Sequence, residues 1–324
     1  MDYLSGWCNS SKRLDGRTVI VTGCNTGIGK ETALDMYKRG AHVIMACRNI
    51  NKAEAAKKDI EQLTALEKGS GTLTIEKIDL CSMQSVRAFA ERVMESEHGI
   101  YALINNAGVM MCPESRTVDG FETHIGSNHL GHALLTLLLL PAIISDAPSR
   151  IIFVSSYVHS KYNLDLDDLN FEKKKYNAFE AYCRSKAANI MFATALAEKL
   201  KEHNILNVTS YSVHPGVIGT EIGRHFDDTV WFGARWLFNV LGYLLKSPRC
   251  GAQTTIYCAV DDSCADQSGL YYSECAPKSS QQCQDSAAVS MLWDMTLKAL
   301  NLDNYNPFRE NLTEDKAKSM IKMS

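Results

Sequence analysis

Between Thr18 and Val260, short runs of apolar, mostly β-branched residues alternate with longer stretches in which apolar positions recur every three or four residues. The first pattern belongs to buried strands and the second to amphipathic helices. Strands are predicted at 17–22, 41–47, 73–80, 101–107, 150–156 and 207–215, and helices at 27–38, 53–66 and from Ala178 to about Leu200. The strands are apolar nearly throughout, which a parallel sheet requires when helices cover both of its faces. The expected architecture is therefore α/β, a Rossmann-type doubly wound and mostly parallel sheet with helices on both faces. Gly69, Ser70 and Gly71 mark a loop and not a boundary, because the alternation resumes at once. A single catalytic domain is expected over 14–273. An extension, 274–324, is expected to pack on it with one more helix near 287–300 and a frayed polar tail.

Two apolar stretches call for a choice between core and membrane. Residues 134–144 reach roughly half of the ~20 residues that a spanning helix needs and contain Pro141, so a buried helix is expected. Over 231–245, at 100° per residue, Trp236, Leu237, Val240, Leu241, Leu244 and Leu245 share one arc, while Arg235, Asn239 and Gly242 take the other. This amphipathic helix suits core packing, a lid over an apolar substrate within about 219–247, or shallow membrane contact, and all three stay open. The first fifteen residues hold no apolar run that would serve as a signal peptide or anchor. The sequons at Asn9, Asn207 and Asn311 are discounted on the same ground.

Composition narrows the partners. Over 324 residues, 45% apolar and 22% charged side chains are ordinary for a globular protein, which excludes disorder and fibrous repeats. The 34 basic and 37 acidic residues leave a formal charge of -3 without a basic block, so no nucleic-acid partner is expected. Eleven cysteines, odd in number and without a CxxC pair, read as small core residues and free thiols. A reducing, cytoplasmic location is expected.

Candidate chemistry begins directly after the first strand, at Thr22-Gly23-Cys24-Asn25-Thr26-Gly27-Ile28-Gly29. Glycines allow a tight turn and close backbone approach, so a pyrophosphate can sit on the N-terminus of the helix that follows. An Asp or Glu usually ends the second strand of such a unit, to hold a ribose 2′-hydroxyl. Here Arg48 stands in that place, and a guanidinium suits a 2′-phosphate, which favours NADP(H) over NAD(H). Asp79 is a candidate for the adenine amino group, and Asn105-Asn106-Ala107-Gly108 would bring small residues against the adenosine ribose. On the long helix, Tyr182 and Lys186 are spaced i,i+4 and project from one face, so an ammonium can lower the phenol pKa. Ser156, from the Ser155-Ser156 pair that ends the fifth strand, can donate to a carbonyl oxygen or cap its own loop.

In this order and spacing, TGxxxGIG, NNAG, a strand ending in SS, YxxxK and His214-Pro215-Gly216 resemble the short-chain dehydrogenase/reductase superfamily from Leu14 to Tyr272. Finer strings are similar to its retinol dehydrogenase branch, with its NADP(H)-linked retinal reductases: NTGIGKETA, ACR, NNAGVMMCP, HIGSNHLGH, AYCRSKAANI and YSVHPG. The resemblance implies a fourth catalytic residue, Asn128, which fixes a helix kink and a water in a proton relay. It also implies Pro215, Gly216, Val217 and Thr220 around the nicotinamide, and Leu80 beside Asp79 among the cofactor contacts. Two departures stand out. The hydrophobic N-terminal anchor of membrane-bound branch members is not seen, and Gly219 precedes Thr220 where many relatives carry a longer polar side chain.

The expected reaction moves a hydride between NADP(H) and the carbonyl carbon of an apolar aldehyde or ketone, without a metal. Tyr182 would protonate the oxygen, Ser156 polarise it, Lys186 lower the Tyr182 pKa and hold the cofactor ribose, and Asn128 connect the proton path to solvent. Ser156, Tyr182, Trp236 and Leu237 would face the substrate. Retinal or a similar isoprenoid or lipid aldehyde is the first expectation; a broad carbonyl reductase or a steroid or lipid-alcohol dehydrogenase is the alternative. A cofactor-binding regulatory protein without turnover would have no chemical need for the full Ser156, Tyr182 and Lys186 set. Peripheral membrane contact and a homodimer are left open.

Overall fold

The structure, a computed structural model, describes residues 2, 5–218, 246–283 and 285–308. Its strands are β1 (Thr18–Thr22), β2 (His42–Cys47), β3 (Thr72–Lys77), β4 (Ala102–Asn105), β5 (Ser149–Val154), β6 (Val208–His214), β7 (Tyr271–Ser273) and β8 (Ala276–Lys278). They form one sheet in the order β3-β2-β1-β4-β5-β6-β7-β8, parallel except for the β7–β8 pair. The helices are α1 (Gly27–Lys38), α2 (Ile50–Leu63), α3 (Met83–Ser96), α4 (Gly131–Ser145), α5 (Ala178–Glu202), α6 (Pro248–Val260) and α7 (Ser286–Ala299). The expected doubly wound architecture is present. β1 shows why its strands carry so few polar positions: Ile20 joins a core with Phe89 of α3, Leu134 of α4 and Phe192 of α5. Val19 and Val21, on the other face, join Met36 of α1, Ile60 of α2 and Ile256 of α6.

The strand order reverses between β1 and β4. In an open α/β sheet, chains leaving the carboxyl ends on either side of that point run to opposite faces and open a crevice, where ligands bind.

Several boundaries differ from expectation. β3 ends at Lys77, which puts Asp79 and Leu80 in the loop beyond the strand and not at its end. α2 begins at Ile50, earlier than the apolar periodicity indicated, because the Asn49 side chain accepts a bond from Lys52 N–H and starts the helix. The expected short buried helix over 134–144 is part of a longer one. A π-helical turn, Ile125–Leu130, runs into α4, so the apolar helix spans 21 residues and is long enough to cross a membrane. Its apolar window is 89% buried inside the protein, which makes it a core helix by burial where the argument from length fails. β7 and β8 were not expected. The amphipathic helix expected over 231–245, together with Gly219, Thr220, Trp236 and Leu237, lies outside the described residues.

The helix near the C-terminus is docked firmly. Trp293 of α7 stacks on Phe192 of α5 at 5.1 Å between ring centroids, and Thr296 bonds the buried His129 at 2.9 Å.

Candidate active site

The turn between β1 and α1 lies directly against the turn after β4. A Cβ on Gly23 would fall 2.8 Å from the Ala107 Cβ, and one on Gly29 would fall 2.4 Å from the Asn106 amide nitrogen. Only glycine permits this approach. Asn106 donates its side-chain amide to Thr22 O at 2.8 Å, and the N–H groups of Asn106 and Ala107 both donate to the Thr22 hydroxyl, at 2.9 and 3.0 Å. Thr22 therefore welds the two turns together, and Asn106 acts as a clamp on the glycine turn.

A cavity of about 400 Å³ opens over this junction. Of the residues expected to hold a cofactor, Gly23, Asn25, Thr26, Gly27, Ile28, Gly29, Arg48, Asp79, Leu80, Asn106, Ala107 and Gly108 line it. Asn128 lines it as well. Thr26 makes no side-chain cap on α1, whereas Asn49, Ser82, Asn177, Ser247 and Asp285 cap the helices that follow them. The first amides of α1 are thus left for an anion, as a dinucleotide pyrophosphate requires. Lys52, on the first turn of α2, shares the lining with Arg48 and was missed by the sequence reading. Its place could have been found once Asn49 was recognised as a cap. Pro215, Gly216 and Val217 follow β6 but do not line this cavity; the backbone at Gly216 lies against the Lys246 side chain.

Of the expected catalytic side chains only Asn128 lines the cavity; Lys186 and Tyr182 stand next to it, behind Gly108 and Asn128. Lys186, 2% exposed, projects from α5 so that a Cβ on Gly108 would lie 3.4 Å from its Nζ and 3.5 Å from Asn128 Oδ1. Its ammonium donates to Val154 O at 2.9 Å and lies 5.8 Å from the centre of the Tyr182 ring. Burial pushes the Lys186 pKa down to about 8. Burial also pushes Tyr182 up to about 12, while a hydrogen bond with the Ser156 side chain acts in the opposite direction. Burial outweighs every influence that favours the phenolate here. β5 stops at Val154, so the two serines expected to end it stand just beyond, and they have different partners. Ser155 donates to Lys186 O at 2.7 Å and fixes α5 to the strand end, while Ser156 Oγ accepts from Val158 N–H at 3.5 Å, capping its own loop, and also acts on Tyr182.

Asn128 lies within the π-helical turn before α4, where the chain was expected to kink. Its side chain accepts from Val109 N–H at 2.8 Å and donates to Val109 O at 2.9 Å and to Ser185 Oγ at 3.0 Å. Its carbonyl accepts from His132 Nδ1 at 2.9 Å, which leaves His132 Nε2 to accept the Thr22 hydroxyl proton at 2.9 Å. Burial pushes the His132 pKa down to about 3, so the ring is neutral and bridges the glycine turn to the Asn128 turn. His132 and Ser185 were not singled out beforehand; their partners lie on other elements, and nothing local marks them.

The family profile described as short chain dehydrogenase matches residues 17–231. The chain belongs to the short-chain dehydrogenase/reductase superfamily. It is 45% identical to retinol dehydrogenase 11 of Homo sapiens over 299 residues, covering 92% of this chain and 90% of that protein. It is 42% identical to retinol dehydrogenase 13 of Homo sapiens over 308 residues, with coverage of 93% and 90%. A crystal structure of an uncharacterized protein of Mycobacterium paratuberculosis superposes with a TM-score of 0.71 at 30% identity, covering 92% of this chain and 98% of that one. The short-chain dehydrogenase is thus a retinol dehydrogenase-like member of its superfamily, an oxidoreductase that uses a nicotinamide cofactor. The glycine cradle, the uncapped α1 and the cationic Arg48–Lys52 end all fit such a group.

Proposed function

We propose that the enzyme uses NADPH to reduce an apolar aldehyde, retinal or a similar isoprenoid or lipid aldehyde, to its alcohol. The observation that carries this reading is that Lys186, beside the Tyr182 ring, lies against Gly108 and Asn128, which line a cavity that also holds Arg48. Bound there, a nicotinamide dinucleotide supplies the hydride. Arg48 and Lys52 would hold a 2′-phosphate, the amides of α1 the pyrophosphate, and Lys186 the ribose next to the reacting end.

With its pKa raised to about 12, Tyr182 keeps its proton at neutral pH. That state suits a donor to the oxygen of a carbonyl being reduced. Ser156 holds the same oxygen and so positions it for Tyr182. Asn128 keeps Ser185 and the Val109 backbone in place around the lysine and would link the proton path to solvent. The similarity to retinol dehydrogenases 11 and 13 supports a retinoid as the substrate. Trp236 and Leu237 are proposed to meet the apolar chain.

Titration with NADPH and NADH tests the cofactor assignment. Wild-type protein should prefer NADPH, and Arg48→Asp should weaken NADPH by at least about tenfold, the worth of one charge-assisted bond, while leaving NADH nearly unchanged. Equal affinity for the two cofactors in the wild type would refute the role of Arg48.

A further inference from the structure

The loop that leaves β4 is pinned from three sides. At its start, Asn128 bonds both the N–H and the C=O of Val109. At its end, Cys112 N–H donates to His124 Nε2 at 3.2 Å, and the Tyr176 hydroxyl donates to Cys112 O at 2.8 Å. Because Nε2 accepts, His124 carries its proton on Nδ1 and donates it to Glu122 at 2.7 Å. The Glu122 carboxylate, 3% exposed, also accepts the N–H groups of His124 and Ile125, at 2.9 and 2.8 Å, so it is buried with its acceptors satisfied. The loop between the pins holds Met111 at a φ of 55°, a conformation that side chains other than glycine rarely adopt. Such strain persists only where the surroundings enforce it.

The location gives the clamp its meaning. Val109 lines the cofactor cavity, and the His124 ring stands edge-on to the Tyr182 ring with 6.2 Å between centroids. Met110 and Met111, both half-buried, are thus held on the short stretch between a residue that lines the cavity and one bonded to the ring that stands beside Tyr182. Methionine is unbranched and adapts to flexible apolar surfaces. We infer that Glu122, His124 and Tyr176 are positioning residues that hold Met110 and Met111 as a wall of the substrate chamber, selecting long apolar aldehydes. This rests on the aldehyde-reductase reading above.

The test is steady-state kinetics with NADPH over the straight-chain series from butanal to dodecanal, with NADPH binding measured by fluorescence on each protein. Wild-type kcat/KM should climb with chain length. Tyr176→Phe releases one pin, and Met111→Gly removes the side chain with a residue that accepts φ of 55° without strain, so it should fold. Both should flatten the slope, with dodecanal losing about tenfold more than butanal, mainly through KM. Met111→Leu should restore it. An active wild type whose Tyr176→Phe and Met111→Gly variants keep its slope, or lose kcat equally at every length, overturns the inference alone. A wild type that reduces retinal and none of the straight-chain aldehydes overturns the inference alone, and one that binds NADPH and reduces neither overturns the aldehyde-reductase reading and the inference with it.

Discussion

Burial raises Tyr182 and lowers Lys186, because a low-dielectric site disfavours the charged form of each. The two shifts leave a neutral phenol beside a lysine that loses its charge near pH 8. For kcat/KM in the direction of reduction, the ammonium is present below about pH 8 and lost above it, so the rate should fall as pH rises through that value. A pH–rate profile in which wild type falls near 8 and Lys186→Met is low and flat would agree; a wild-type profile flat through that region would not. Stability follows the opposite sign. The folded pKa lies below the ordinary 10.5, so the charged lysine weakens the fold below about pH 8, and this penalty fades as pH rises toward 10.5. At this scale the sequence disclosed side chains with a local signature: the i,i+4 pair of Tyr182 and Lys186, and Arg48 at a place normally acidic. It did not disclose Thr22 as the weld between two turns, or His132 as a bridge, since their partners lie 84 and 110 residues away along the chain.

Among the elements, the helix Ile125–Ser145 and α7 both pack on α5, which carries Tyr182 and Lys186. The first carries Asn128 in its π-helical turn and His132 one turn further on, and its apolar body is buried among β4, β5, α3 and α5. Its apolar run was legible; the π-helical turn was visible only through family resemblance, because hydrogen-bond register leaves no mark on hydrophobic periodicity. β7 and β8 escaped notice because three residues each are too few to show a period. α7 backs α5, the element that carries Tyr182 and Lys186. Trp293→Ala should destabilise the protein by about 3 kcal/mol through the cavity left against Phe192, seen as a lower urea midpoint. A change below about 0.5 kcal/mol would mean that α7 is not part of the cooperative fold.

Across the whole molecule, one sheet with a reversal between β1 and β4 places the glycine turn, Arg48 and Asn128 along a single crevice, with Lys186 and Tyr182 next to it. That topology was legible because strands covered on both faces must be apolar throughout, and glycine spacing fixes where the crevice opens. The loop after β4 was less so: the pinned Val109–Cys112 stretch depends on bonds from Asn128, His124 and Tyr176 that only the assembled fold brings together. The most direct measurement joins the cofactor and donor ends in one experiment: oxidation of NADPH in the presence of retinal by wild type and by Tyr182→Phe, with NADPH affinity measured on both. Wild type should oxidise NADPH only when retinal is present. Tyr182→Phe should bind NADPH within about twofold of wild type and turn over at least ~100-fold more slowly, the contribution expected of a general acid. A Tyr182→Phe enzyme that keeps most of the wild-type rate, or a wild type that binds NADPH and never oxidises it with retinal, would contradict the proposed reduction.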